Sequence, residues 1–419
     1  MPNPHAYEVQ RVYQDIHTTL LPDGKVEVYN ERFFTPLSDV AMQWTLLRDG
    51  RPVRSGNISD INVDPQQRAV IAVPYGPAEG EGEWLLNVDY RLKQAAPLLD
   101  AGTTVAHEQL RLSPATVRMA SLSGSPVTSV ERKAGFITVT GPQFSIAFSE
   151  MDGYISRYDV DGQPMLKEGS EITPNFWRAP TDNDYGAGLQ KKYRAWLNPG
   201  LTLASIDSEE LDGKAIVKAD YRMRNIPATL SIIYTVDGNG AVKVVETMTP
   251  EQGAKASDMF RFGMQIPMPA SFERIDYYGR GPGENYSDRQ QASDLGRYTQ
   301  SVDSQAYPYI RPQETGTRTD LRTWAVLDAS GSGLEFTSDR PFSASALHYT
   351  IETLDGGREK PNSHWGEIDR DDVTNVLVDY AQMGLGCVNS WGALPLPAYR
   401  LPFAPYTFTF TITPVRHRL

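Results

Sequence analysis

Leu230-Ser231-Ile232-Ile233-Tyr234-Thr235-Val236, then Asp237-Gly238-Asn239-Gly240, then Val242-Lys243-Val244-Val245-Glu246-Thr247, reads as two strands joined by a turn. Both arms carry β-branched and aromatic residues that suit a pleated surface. The Asp-Gly-Asn-Gly between them supplies the residue types a hairpin turn requires. A second hairpin is legible beside it, 136–139 answered by 144–148, and further strands are expected at 259–266, 321–327, 333–337, 344–349, 375–381 and 406–413. So many antiparallel strands between 132 and 419 predict a large sandwich rather than one small barrel.

Upstream the pattern repeats on a smaller scale. Short alternating runs at 26–30, 42–47, 69–73, 83–90 and 105–112 are separated by turn signals such as Asp49-Gly50-Arg51-Pro52. This is the strand count of an immunoglobulin-like sandwich over residues 1–113, without the cysteine pair of antibody domains. The small, polar stretch 114–131, with Ser121-Leu122-Ser123-Gly124-Ser125-Pro126 at its centre, is expected to be a linker. One helical segment is expected, at 189–197, while 7–13 reads as the close of a helix or strand belonging to something further upstream. The chain is therefore expected to be all-β: an immunoglobulin-like sandwich, a linker, and a large antiparallel sandwich over 132–419.

A chain of 419 residues with 34 glycines, 30 prolines and 21 tyrosines suits many short strands and turns. No run reaches the length of a membrane helix. The first residues, Met1-Pro2-Asn3-Pro4-His5, have neither the basic nor the apolar segment of a signal peptide, which leaves the compartment open between cytoplasm and periplasm. With Cys387 alone, no disulfide can form within the chain. A net charge of −12 without a basic cluster argues against nucleic acid as a partner. A neutral substrate such as a sugar is compatible.

Polar chemistry is densest at Tyr277-Tyr278-Gly279-Arg280-Gly281-Pro282-Gly283-Glu284-Asn285-Tyr286-Ser287-Asp288-Arg289. Its glycines and proline predict a surface loop, and loops of this composition bind ligands. The alternative is a solvated turn in which Glu284, Asp288 and Arg289 pair with one another. Asp182, Asn183 and Asp184 offer hard oxygen ligands, but the spacing of a calcium loop is missing, and helix capping or turn duty is the simpler reading. Trp391, among the glycines of 384–392, is a candidate platform for a pyranose ring; a core tryptophan is the alternative. His348 and His364, near Glu352, Glu359 and Glu367, are weighed as an acid and base pair and read instead as packing or interface residues. No serine triad, zinc spacing or nucleotide loop is present.

Taken together, Asn175-Phe176-Trp177-Arg178-Ala179-Pro180-Thr181-Asp182-Asn183-Asp184, the run 278–289, Tyr309-Ile310-Arg311-Pro312-Gln313-Glu314-Thr315-Gly316 and the Trp391 loop closely resemble the C-terminal part of large bacterial β-galactosidases of glycoside hydrolase family 2. Residues near 7–113 resemble that family's fourth, immunoglobulin-like domain, and 132–419 its fifth, a supersandwich related to galactose mutarotases and also found as a separate small chain. The resemblance implies that both catalytic glutamates lie on a (β/α)8 barrel outside this chain, so no residue here is assigned as catalytic and the chain is expected to be inactive alone. It also implies that Trp391, with Asn389 and Ser390, contributes substrate-binding surface. The loop with Gly281, Gly283, Glu284, Asn285, Asp288 and Arg289 is implied to border that site, and Arg178, Asp182, Asn183 and Asp184 form a motif of unassigned role. Implied partners are β-galactosides and the barrel of the same enzyme. A homo-oligomer is compatible, no cofactor or metal is expected in this chain, and a divalent metal is allowed in the barrel. An excised fragment and a split-gene product both remain open, as does an independent mutarotase-like epimerase or carbohydrate-binding module.

Overall fold

The computed structural model describes residues 2–386, 389 and 392–416. The chain divides into two compact units. The first is Met1–Thr116 with Tyr278–Pro282 and Gln291–Arg297, and the second is Val117–Tyr277 with Gly283–Gln290 and Tyr298–Leu419.

In the first unit, Arg51–Ile58, Val40–Arg48, Trp84–Leu92 and Thr104–Arg111 form one antiparallel sheet in that order. Ile16–Leu20, Val26–Asn30 and Arg68–Ile71 form the other. Alternation places Val26, Val28, Val40, Met42, Leu46, Leu86 and Val88 in one apolar core, all at 0–1 % exposure. Residues 7–13 resolve into the helix Pro4–Val12, which Asn3 caps by accepting from the His5 N–H at 3.1 Å.

The second unit is also antiparallel. Among the described residues its larger sheet runs Thr173–Asn175, Arg261–Met268, Thr374–Gln382, Gly333–Leu347, Tyr406–Val415, Val242–Pro250, Ala228–Val236, Lys214–Met223 and Leu201–Leu211. Arg318–Leu327 pairs along Gly333–Leu347. A five-stranded sheet runs Gln163–Pro164, Ile155–Val160, Phe144–Ser149, Phe136–Gly141 and Ser129–Lys133. The hairpin at 230–247 has the expected register, Val236 opposite Val242, and the Asp237 carboxylate accepts from the Asn239 and Ala241 N–H groups at 2.9 Å each.

Two local expectations change. The expected helix at 189–197 is preceded by the helix Asp182–Ala187 and is itself short: Leu189–Lys192, then a 3-10 turn at Arg194–Trp196. Gly188, at φ 72°, breaks the two helices apart, a conformation that glycine adopts at little cost. The stretch 114–131 is not a free tether throughout. Ala120 N–H donates to the Thr337 hydroxyl at 2.8 Å, Val127 N–H to the Gly213 carbonyl at 2.8 Å, and Ser129–Lys133 is already a strand.

Candidate functional site

Three residues from two of the polar motifs converge on one short segment of the second unit, Met383-Gly384-Leu385-Gly386, which leads into the loop that carries Trp391. Arg178 is fully buried. Its guanidinium donates to the Met383 carbonyl at 2.6 Å and the Gly384 carbonyl at 3.1 Å, and it holds Asp184 in a two-pronged pair at 3.0 and 2.8 Å. Asp184 also closes the capping box: it accepts from Thr181 N–H at 2.9 Å, while its own N–H donates to the Thr181 hydroxyl at 3.2 Å. The capping reading of this motif therefore applies to Asp184, with Thr181 as the cap. Asn183 donates to the Leu385 carbonyl at 3.2 Å. Asp182 instead pairs with Arg311 at 3.1 Å and Lys360 at 2.7 Å. Burial alone would raise the Asp182 carboxyl, but these two cations hold it below the ordinary carboxylate value.

The run 277–289 is an exposed loop only at Pro282 and Gly283. A strand continues through Gly281, and Glu284, Asn285, Tyr286 and Arg289 are buried. Gly279 and Gly281 lie within the strand without interrupting it, and the polar side chains beyond them find partners inside. Glu284 pairs with Arg289 and the Tyr309 hydroxyl, and accepts from the Thr315 hydroxyl at 2.8 Å and the Gly316 N–H at 2.9 Å. Desolvation pushes the Glu284 carboxyl up, but Arg289, Tyr309 and Gly316 outweigh it and hold it low. Asn285 donates to the Gly283 carbonyl at 3.0 Å and accepts from Thr319 N–H at 3.0 Å. Gly281 and Pro282 belong to the first unit, whereas Gly283–Gln290 belong to the second.

Asp288 does not join the Glu284 and Arg289 pair. Its carboxylate accepts from the Leu385 and Gly386 N–H groups at 2.9 Å each. A Cβ on Gly384 would come within 2.5 Å of that carboxylate, so glycine is required there for close approach. At the far end of the loop, a Cβ on Gly392 would lie 2.8 Å from the Gly186 carbonyl. Asn389 is exposed and accepts from Ala393 N–H at 3.4 Å. Ser390, Trp391 and Cys387 lie outside the described residues.

Sequence reasoning missed a second buried charge cluster. Arg261 has its Nη2 3.4 Å from Glu314 and its Nε 3.3 Å from Asp379, all three buried. Burial pushes the Asp379 carboxyl up to about 7, although Arg261 opposes the shift. Glu246, at 0 % exposure and with no hydrogen bond to either oxygen, is raised well above its ordinary value, by burial first and by Asp379 second. The available signal was a charge inside an apolar run, Met259-Phe260-Arg261-Phe262, which alternation alone reads as one face turned outward. His348 is buried and its Nδ1 lies 2.7 Å from the Val373 carbonyl, while His364 closes a capping box with Glu367.

Two antiparallel sandwiches, the second with charged groups buried around a loop stem, define an all-β protein of two units. The family is shown by comparison: a model described as the β-galactosidase small chain matches residues 140–412, and one described as β-galactosidase domain 4 matches 26–113. The chain belongs to the β-galactosidase family and corresponds to the C-terminal portion of its members. A β-galactosidase of Priestia megaterium is 31 % identical over 99 % of this chain and 40 % of that protein. One of Lactobacillus delbrueckii subsp. bulgaricus is 30 % identical over 95 % of this chain and 38 % of its own length. The chain thus spans about 40 % of the length of these relatives. Among solved structures, a putative aldose 1-epimerase of Escherichia coli K12 aligns with 67 % of this chain and 98 % of its own at a TM-score of 0.38 and 11 % identity, too loose a likeness to assign an activity.

Proposed function

We propose that this chain forms the non-barrel wall of a β-galactosidase, supplying loops to a galactoside site whose two catalytic glutamates lie on a barrel outside it. The observation that carries the reading is the convergence of Arg178, Asn183 and Asp288 on the carbonyls and N–H groups of Met383–Gly386. Three polar side chains gathered on one loop stem, one of them the fully buried Arg178, fix the direction of that stem. A loop that served only as a connection has no need of it.

In this reading Trp391 offers its indole to the C–H face of a pyranose, with Asn389 and Ser390 as polar neighbours, and the loop 283–289 acts by holding the stem. The chain itself supplies neither the proton donor nor the nucleophile of glycoside hydrolysis. Its partners are then β-galactosides and the catalytic barrel of the same enzyme, in the same chain or as a separate subunit. Trp391→Ala in the complete enzyme is expected to cost on the order of 1–3 kcal/mol of substrate or transition-state binding.

The deciding assay measures hydrolysis of a chromogenic β-galactoside by the purified chain, alone and mixed with the remainder of the enzyme. The expected result is activity only in the mixture. Turnover by the chain alone, abolished by changing one of its own glutamates, would overturn the proposal. Catalysed anomerisation of galactose by the isolated chain would point instead to an independent epimerase.

A further inference from the structure

A cluster apart from the loop stem brings together three residues far separated in sequence. Glu273 precedes the strand Arg274–Gly281, Asp303 sits in the 3-10 turn Val302–Ser304, and His348 follows the strand Gly333–Leu347. Their ligand-capable atoms all lie within 4.8 Å of one another. The His348 Nε2 is 3.2 Å from a Glu273 oxygen and 4.0 Å from an Asp303 oxygen.

The imidazole is anchored on one side and faces carboxylates on the other. His348 is 2 % exposed, and its Nδ1 lies 2.7 Å from the Val373 carbonyl. A carbonyl can only accept, so Nδ1 is the nitrogen that donates, and Nε2 is the one that faces the two carboxylates. Nε2 is buried, and its nearest oxygens are those of Glu273 and Asp303. An N–H held by a backbone carbonyl is the usual outer support of a metal-bound histidine, since it fixes both tautomer and ring plane.

The main chain holds the three residues in place. Val302 N–H donates to the Glu273 carbonyl at 2.8 Å, Asp371 N–H to the His348 carbonyl at 2.8 Å, and the Thr374 hydroxyl to the Phe272 carbonyl at 2.9 Å. Arg370 spans the two carboxylates, with one nitrogen 3.0 Å from Asp303 and another paired with Glu273. Its side chain is 41 % exposed and can swing away.

We propose that Glu273, Asp303 and His348 bind a divalent transition-metal cation of the zinc type, with Arg370 as the counterion that takes its place when no metal is bound. One imidazole nitrogen with two carboxylate oxygens suits zinc and leaves a fourth position for water. Magnesium, which demands oxygen ligands in octahedral array, fits poorly.

Titration of the chain with zinc chloride, followed by calorimetry and by the visible absorption of cobalt(II) in its place, tests the site. The expected result is one zinc per chain. Asp303→Asn, at a side chain 60 % exposed and so without consequence for folding, should weaken binding about tenfold or more. His348→Gln should do the same and remove the cobalt spectrum. Arg370→Ala should tighten binding by removing the competing cation. Absence of saturable zinc uptake in the parent and in Arg370→Ala would overturn the proposal and leave an ion-pair cluster only. So would uptake indifferent to Asp303→Asn, or magnesium binding as tightly as zinc.

Discussion

The two units are built from the same antiparallel strands, yet they treat charge in opposite ways. Among the described residues the first unit buries one charged side chain, Glu83, paired with Arg111 at 2.7 Å and with the Tyr278 hydroxyl at 2.6 Å. The second hides Arg178, Arg261, Arg318, Glu246, Glu284 and Asp379, besides others. Taking ions out of water costs several kcal/mol each, and good geometry only offsets it. A sandwich can be built with little of this, as the first unit shows. Part of the extra charge in the second, at Arg178, Arg318 and Glu284, holds backbone carbonyls and N–H groups outside regular pairing, while Arg261, Asp379 and Glu246 sit on paired strands.

The sharpest way to break this contrast is Arg178→Ala. It leaves Asp184 buried without its partner and two carbonyls without a donor, so the second unit should lose about 3–5 kcal/mol in denaturant unfolding. A loss below about 1 kcal/mol would mean that the pair is ornamental.

The pH response comes next. A carboxyl such as Asp379, with a folded value of about 7 against an ordinary 3.8, keeps its proton in the native state where the unfolded chain has lost it. Native stability contributed by this group therefore falls as pH rises from about 4 to about 7 and levels off above, by an amount on the order of a few kcal/mol. Asp379→Asn should flatten the change in melting temperature between pH 5 and pH 8. An unchanged slope would show that Asp379 ionises freely.

Asp288→Asn should cost about 1–3 kcal/mol, because one of the two N–H groups at Leu385 and Gly386 loses its acceptor. Hydrogen exchange at those two amides should rise, and galactosidase activity of the complete enzyme should fall by more than stability does. Equal exchange rates in parent and variant would sink the holding role of Asp288. The smallest effect belongs to the first unit. Thr18→Val removes the hydroxyl 2.6 Å from the buried Tyr90 hydroxyl, and about 1 kcal/mol is expected in thermal unfolding. A loss as large as that from Arg178→Ala would erase the difference between the units.

Legibility in the sequence followed burial on one face. Strands such as Val40–Arg48 and Ala228–Val236, with one side in the core, announce themselves through alternation. Arg51–Ile58 and Leu201–Leu211 do not, because they are mostly exposed edge strands with no apolar face to display. Arg51-Pro52 even reads as a turn, since proline is tolerated only where its missing N–H faces outward. At the site, the residues around Arg178, Glu284 and Asp288 were visible as motifs, but which backbone groups they hold was not, because Asp288 and Leu385 meet only through the fold. Glu314 and Thr315 stood in a quoted motif without a role, and the structure places both beside buried charges. Arg261, Asp379 and Glu246 were silent for a simpler reason: a charged residue in a strand is ordinarily the outward one.

The first unit takes two of its pieces, Tyr278–Pro282 and Gln291–Arg297, from deep within the sequence of the second. Within that unit Tyr278 reaches Glu83, Leu295 packs with Leu47 and Leu85, and Gln109 exchanges hydrogen bonds with the Leu295 backbone at 2.8 Å each. A protease that nicked the chain near residue 116 would therefore sever the covalent thread without dividing what it connects. Both products would still own part of the same small core, and a gene cut at that point would send out a second half carrying two segments whose complement it had left behind.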